Sequence, residues 1–111
     1  MRRVVVTGLG LVTPLAASVN GSWTKLINSE SGIGKIEGFD TEDLPAKIAG
    51  HVPNSDQEDG FDPNRCLEVK EQRKVDRFIL FAIDAADQAI KDSEWVVESE
   101  KDSHRSGVLI G

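Results

Sequence analysis

Tyrosine is absent from this chain, Cys66 is its only cysteine, and Met1 its only methionine. A lone cysteine excludes an internal disulfide and fits a reducing compartment, so a cytoplasmic location is expected. Cations are scarce: 13 Lys and Arg against 19 Asp and Glu give a net charge of −6. That balance argues against nucleic acid as a partner for the surface as a whole. Long apolar runs are missing as well. Val4-Val5-Val6 stops at Thr7-Gly8, short of the roughly 7–15 apolar residues of a leader core. No stretch approaches the roughly 18 residues of a membrane span, so no membrane is expected as a partner. One cysteine and two scattered histidines, His51 and His104, show no metal-ligand spacing. The sequence gives no reason to expect a cofactor.

What remains is a foldable composition of 111 residues, 39% hydrophobic and 29% charged, enough for one small domain. Val4-Val5-Val6 is β-branched and continuous, which predicts a strand buried on both faces. Ser18 or Asn20 can cap a helix that places Trp23, Leu26 and Ile27 on one face, ended by Ser31-Gly32 and Gly34. Lys47-Ile48-Ala49-Gly50 is a short strand candidate in the connection that follows. Residues 53–63 are polar and acidic and read as a solvated loop. The strongest periodic element runs from about Val69 to Ser93, where Val75, Phe78, Ile79, Ala82, Ala86, Ala89 and Ile90 recur at three and four. Its middle is apolar nearly all round, as in a helix inside a larger protein. Residues 98–105 read as a charged surface loop, and Val108-Leu109-Ile110 as a second buried strand. Two such strands separated by helices predict a parallel α/β sheet, which needs cover on both faces. The elements present cannot supply it, so the sequence is expected to continue beyond Gly111.

Three motifs could carry chemistry. Thr7-Gly8-Leu9-Gly10-Leu11-Val12-Thr13 partly matches a dinucleotide fingerprint, but Thr13 stands where the third glycine belongs and no acidic residue follows a second strand. A tight turn with glycines at positive φ is the plainer reading. Lys70, Arg73, Lys74 and Arg77 fall on one stripe of the expected helix, in first turns that already carry positive partial charge. Cations placed against the dipole of an acidic protein point to an anion or an acidic partner, against the alternative of a solvated face balanced by Glu68, Glu71 and Asp76. Cys66 has no base near it in sequence and reads as an inert thiol.

Arg2-Arg3-Val4-Val5-Val6-Thr7-Gly8-Leu9-Gly10, then Glu30-Ser31-Gly32-Ile33, then Lys70-Glu71-Gln72-Arg73-Lys74-Val75-Asp76 resemble, in order and separation, the opening of the β-ketoacyl-acyl carrier protein synthase II condensing enzymes. Gly107-Val108-Leu109-Ile110-Gly111 resembles the family strand before a Ser-Gly-Ile-Gly-Gly turn. The acidic stretch around residues 54–64 departs from shorter members. The resemblance implies a thiolase-like α/β/α/β/α fold, with residues 1–111 as an incomplete start of its N-terminal half. It implies condensation of acyl thioesters with malonyl-acyl carrier protein, carbon dioxide release, and a homodimer. The family's cysteine nucleophile and two histidines are expected beyond Gly111, so none of the 111 residues is assigned a catalytic role and the segment alone is expected to be inactive. Lys70, Arg73 and Lys74 match family positions that contact acyl carrier protein; Arg77 lies outside that match and is the weaker candidate. Two rival readings stay open, a Rossmann-like oxidoreductase segment and a stand-alone carrier-binding module.

Overall fold

The computed structural model describes residues 1–111. The element order is α1 (Val19–Ile27), β1 (Ile33–Lys35), β2 (Ile48–Gly50), a 3-10 turn (Pro63–Arg65), α2 (Val69–Gln72), α3 (Arg77–Ser93) and α4 (Glu100–Arg105). Ser18 caps α1, its side chain accepting from the Gly21 N–H at 3.1 Å, which satisfies one of the orphan donors of a helix start. The helix stops at Asn28, before Ser29 at φ 60°, rather than at the later glycines. Gly34 lies instead within β1, which pairs antiparallel with β2 in the register Ile33–Gly50, Gly34–Ala49, Lys35–Ile48. The Lys47–Gly50 strand is therefore present, shorter by one residue. Its partner β1 leaves no mark in the sequence, because three residues with a central glycine carry no period.

The continuous helix expected from Val69 to Ser93 is two helices. Arg73–Asp76 is a turn, and α3 begins only at Arg77. Apolar spacing runs through the break, so periodicity alone cannot detect it. The acidic 53–63 segment is not simply a solvated loop. Phe61 is 2% exposed and forms the core with Ala17 and Leu80, and its ring meets Phe81 edge-on at 4.9 Å. Asn54 and Phe61 form an isolated parallel bridge. Residues 100–105 are helical, not loop, because Ser99 and Asp102 complete a reciprocal capping box, the arrangement that closes two orphan donors at once.

Neither Val4–Val6 nor Val108–Ile110 pairs as a strand here; the only sheet is the β1–β2 pair. Val4 and Leu109 are 93% and 98% exposed. A strand buried on both faces exists only where neighbours and two covering layers are supplied, and these 111 residues do not supply them. The whole molecule bears this out. Only 7 of 111 residues are buried, and the accessible surface is 9247 Å², where a compact monomer of 12.1 kDa would expose about 6,000 Å². The radius of gyration is 17.1 Å against about 13 Å for a closed domain of this length. The helices and small sheet make up part of an α/β fold whose core is unfinished within this segment. No helix is long and apolar enough to cross a membrane.

Candidate functional site

The glycines of the Thr7–Thr13 motif are packed against α3, while Thr7, Leu9 and Leu11 between and beside them stay exposed. A Cβ on Gly8 would strike the Ala89 carbonyl and lie 2.7 Å from the Ser93 nitrogen, and one on Gly10 would strike the Ala85 carbonyl. Neither glycine has positive φ; Gly38 alone does. The glycines are therefore required by close approach to the backbone of α3, which corrects the tight-turn reading. Side chains on one face of α3 hold the segment there. Asp92 accepts from the Leu9 N–H at 2.9 Å, and Gln88 exchanges bonds with both backbone groups of Leu11. Thr13 is the hub of a turn, its hydroxyl accepting from Leu15 and Ala16 N–H and pairing with Ser22 at 2.8 Å. The face a pyrophosphate would need is filled by α3, and the motif opens no helix.

Asp84, 5% exposed, anchors the next layer. It takes a bond from Arg65 at 3.3 Å and one from Gln88 at 3.2 Å. Beside it the half-buried Cys66 thiol donates to the Leu80 carbonyl at 3.4 Å. Burial pushes the thiol up from its ordinary range, Asp84 adds to the rise, and Arg65 partly offsets it. A nucleophilic cysteine needs the opposite shift. No group of three or more His, Cys, Asp or Glu is placed to hold a metal ion.

The four basic candidates do not share one helical stripe. Lys70 lies in α2, Arg73 caps its C-terminus, Lys74 sits in the turn, and Arg77 opens α3. All four are exposed, but their environments differ. Lys74 is paired with Glu71 at 2.7 Å. Arg77 donates to Asn54 at 2.8 Å and stacks over Phe81 at 5.3 Å. Lys70 and Arg73 have no carboxylate within 4.0 Å. Arg73 and Arg77 line one groove of about 560 Å³ together with Asn54, Gln72, Val69 and Leu80; Lys70 and Lys74 lie outside its lining. Asn54 and Gln72, absent from the sequence-derived set, are thus part of this surface. Amide side chains carry no charge or period that would single them out beforehand.

A family profile described as "Beta-ketoacyl synthase, N-terminal domain" matches residues 1–111, the whole chain. The chain belongs to the beta-ketoacyl synthase family. It is 48% identical over 112 residues to the 3-oxoacyl-[acyl-carrier-protein] synthase 2 of Rhizobium meliloti (strain 1021), a match covering 100% of this chain and 27% of that protein. It is 40% identical over 124 residues to the mitochondrial 3-oxoacyl-[acyl-carrier-protein] synthase of Arabidopsis thaliana, covering 99% of this chain and 26% of the relative. Among solved structures, the ishigamide ketosynthase/chain length factor superposes with a TM-score of 0.69 at 30% identity, over 91% of this chain and 23% of that one. The chain spans about a quarter of the length of the relatives it matches. The family's fold is thiolase-like, and the helices and small sheet of residues 1–111 are consistent with part of it.

Proposed function

We propose that residues 1–111 form the start of the N-terminal thiolase-like half of an elongating 3-oxoacyl-acyl-carrier-protein synthase. Such an enzyme is an acyltransferase of fatty acid synthesis that condenses an acyl thioester with malonyl-acyl carrier protein. The carrying observation is the end-to-end match at 48% identity to a synthase of that name. The full enzyme is cytoplasmic and homodimeric in this reading. The segment itself contributes framework and docking, not chemistry. Its one thiol, Cys66, is shifted away from nucleophilic character and bonded into the core.

Docking falls to Lys70, Arg73 and Lys74, with Arg77 secondary. Supporting this are the exposure of all four, the lack of acidic partners at Lys70 and Arg73, and the −6 charge of the surrounding chain. Cations such as Lys70 and Arg73, unpaired on a chain of net negative charge, orient an acidic partner and repel basic ones. The test is charge reversal at Arg73 and Lys74 in the synthase that carries this domain. KM for carrier-borne substrates should rise, while small thioester mimics should turn over nearly as before. Equal loss on both substrates would refute docking and indicate destabilisation.

A further inference from the structure

The docking reading asks a very short helix to hold cations in a defined position. α2 has four residues and no side-chain cap at Glu68, and one helical turn is not self-supporting in water. Its support comes from Gln72, the last residue of the turn. The Gln72 carboxamide nitrogen donates to the Leu67 carbonyl at 2.8 Å and to Asn64 Oδ1 at 3.0 Å. Both acceptors precede α2, so one side chain ties the end of the turn back across its own beginning. The acceptor segment is itself fastened to α3 through Arg65 to the buried Asp84 and through Cys66 to the Leu80 carbonyl. Gln72 is half-buried, while Lys70 and Arg73 on the same turn are exposed.

We infer that Gln72 is a positioning residue for carrier docking, acting through Lys70 and Arg73 rather than touching the partner's charges itself. This rests on the docking reading above. Losing the tie leaves the cations present but spread over more orientations, so binding weakens at constant charge. The chemical step does not involve the turn and is untouched.

The experiment uses Gln72→Met, which keeps the length of the side chain but removes its donor, and Asn64→Ala, which removes one acceptor. Both are made in the complete synthase, with Arg73→Glu as the docking control. Expected for Gln72→Met is a rise of about threefold to tenfold in KM for acyl-carrier substrate, the scale of one or two lost hydrogen bonds. Asn64→Ala should show a smaller rise. The turnover number, and KM for a small acyl thioester, should stay at wild-type values. Adding Arg73→Glu to Gln72→Met should cost less than Arg73→Glu alone, since both act on one contact. If Arg73→Glu raises the carrier KM and Gln72→Met does not, the positioning role is wrong while docking stands. If neither raises it, docking falls and this inference with it. If Gln72→Met damages both substrates equally, Gln72 is only a structural residue.

Discussion

Gln88 and Leu11, 77 positions apart, are joined by a reciprocal pair of hydrogen bonds: the side-chain oxygen accepts from the Leu11 N–H and the side-chain nitrogen donates to its carbonyl, each at 3.2 Å. The same nitrogen reaches the Ala17 carbonyl at 3.0 Å. One amide on α3 thus does for the N-terminal segment what a neighbouring strand does in a sheet, satisfying both backbone groups of a residue. Gln88→Leu should remove these three bonds, and the one to Asp84, while keeping bulk. The expected cost is about 2 kcal/mol, less than for fully buried groups because Leu11 stays partly open to water. Hydrogen exchange should show the Leu11 amide losing protection first. Unchanged protection there would mean the segment is held by packing alone.

The glycines beside Leu9 lie directly against the α3 backbone. Alanine at Gly10 must displace the Ala85 carbonyl and the α3 backbone behind it, and alanine at Gly8 meets Ala89 and Ser93. Rigid backbone cannot move aside as a side chain can, so each should cost about 3 kcal/mol. Gly34→Ala is the control, because nothing lies within 4 Å of its added carbon. Thermal unfolding of the three variants checks this. Equal melting temperatures for Gly10→Ala and Gly34→Ala would refute the close-approach account.

Local signals were legible in the sequence. The Ser18 cap, the end of α3 at Ser93 and the strand at Ile48–Gly50 follow from side chains within a turn of each element. The Ser99–Asp102 box was also readable but was obscured by the charge of its surroundings. Features set by distant contacts were not. Nothing local marks Phe61, one aromatic in an acidic run, as the centre of the core. Nothing in the spacing of Val75 and Phe78 reveals the turn between α2 and α3. The Val4 and Val108 runs have strand chemistry without strand partners within these residues, and the chain spans 27% of the relative it matches at 48% identity. The basic cluster was found by charge, but its unequal environments depend on Glu71, Asn54 and Phe81.

Cys66 should be a slow thiol. Its ionisation is pushed upward by burial and by Asp84, so alkylation at neutral pH should lag a free cysteine. Mass spectrometry of the Cys66 peptide after iodoacetamide treatment reads this directly. Asp84→Asn removes one of the raising charges and should speed alkylation. The sign for stability follows from the folded pKa exceeding the unfolded one. The neutral thiol's contribution is complete below about pH 8.5, where a free thiol ionises, and is lost as pH rises through the folded value. Cys66→Ala should therefore flatten part of the alkaline loss of stability. A Cys66 alkylation profile centred at or below that of free cysteine would refute the shift.

If Lys70, Arg73 and Lys74 dock a carrier as proposed, they should not contribute equally. Lys74 is already engaged by Glu71 at 2.7 Å, so a partner must compete for it. Arg73 and Lys70 have no acidic neighbour within 4.0 Å, and their charge is fully available. Arg73→Ala and Lys70→Ala should each raise KM for carrier-borne substrate by about threefold to tenfold, and Lys74→Ala by about twofold. Glu71→Gln should act oppositely, lowering that KM by releasing Lys74. These differences should shrink between about 0.1 and 1 M salt, as the screening length falls from about 10 to 3 Å. Steady-state kinetics of the complete synthase at the two salt concentrations would check the order. A Lys74→Ala effect equal to or above that of Arg73→Ala would show that the Glu71 pair does not shield this surface. Effects that persist at high salt would show that contact, rather than charge, governs the approach of the carrier.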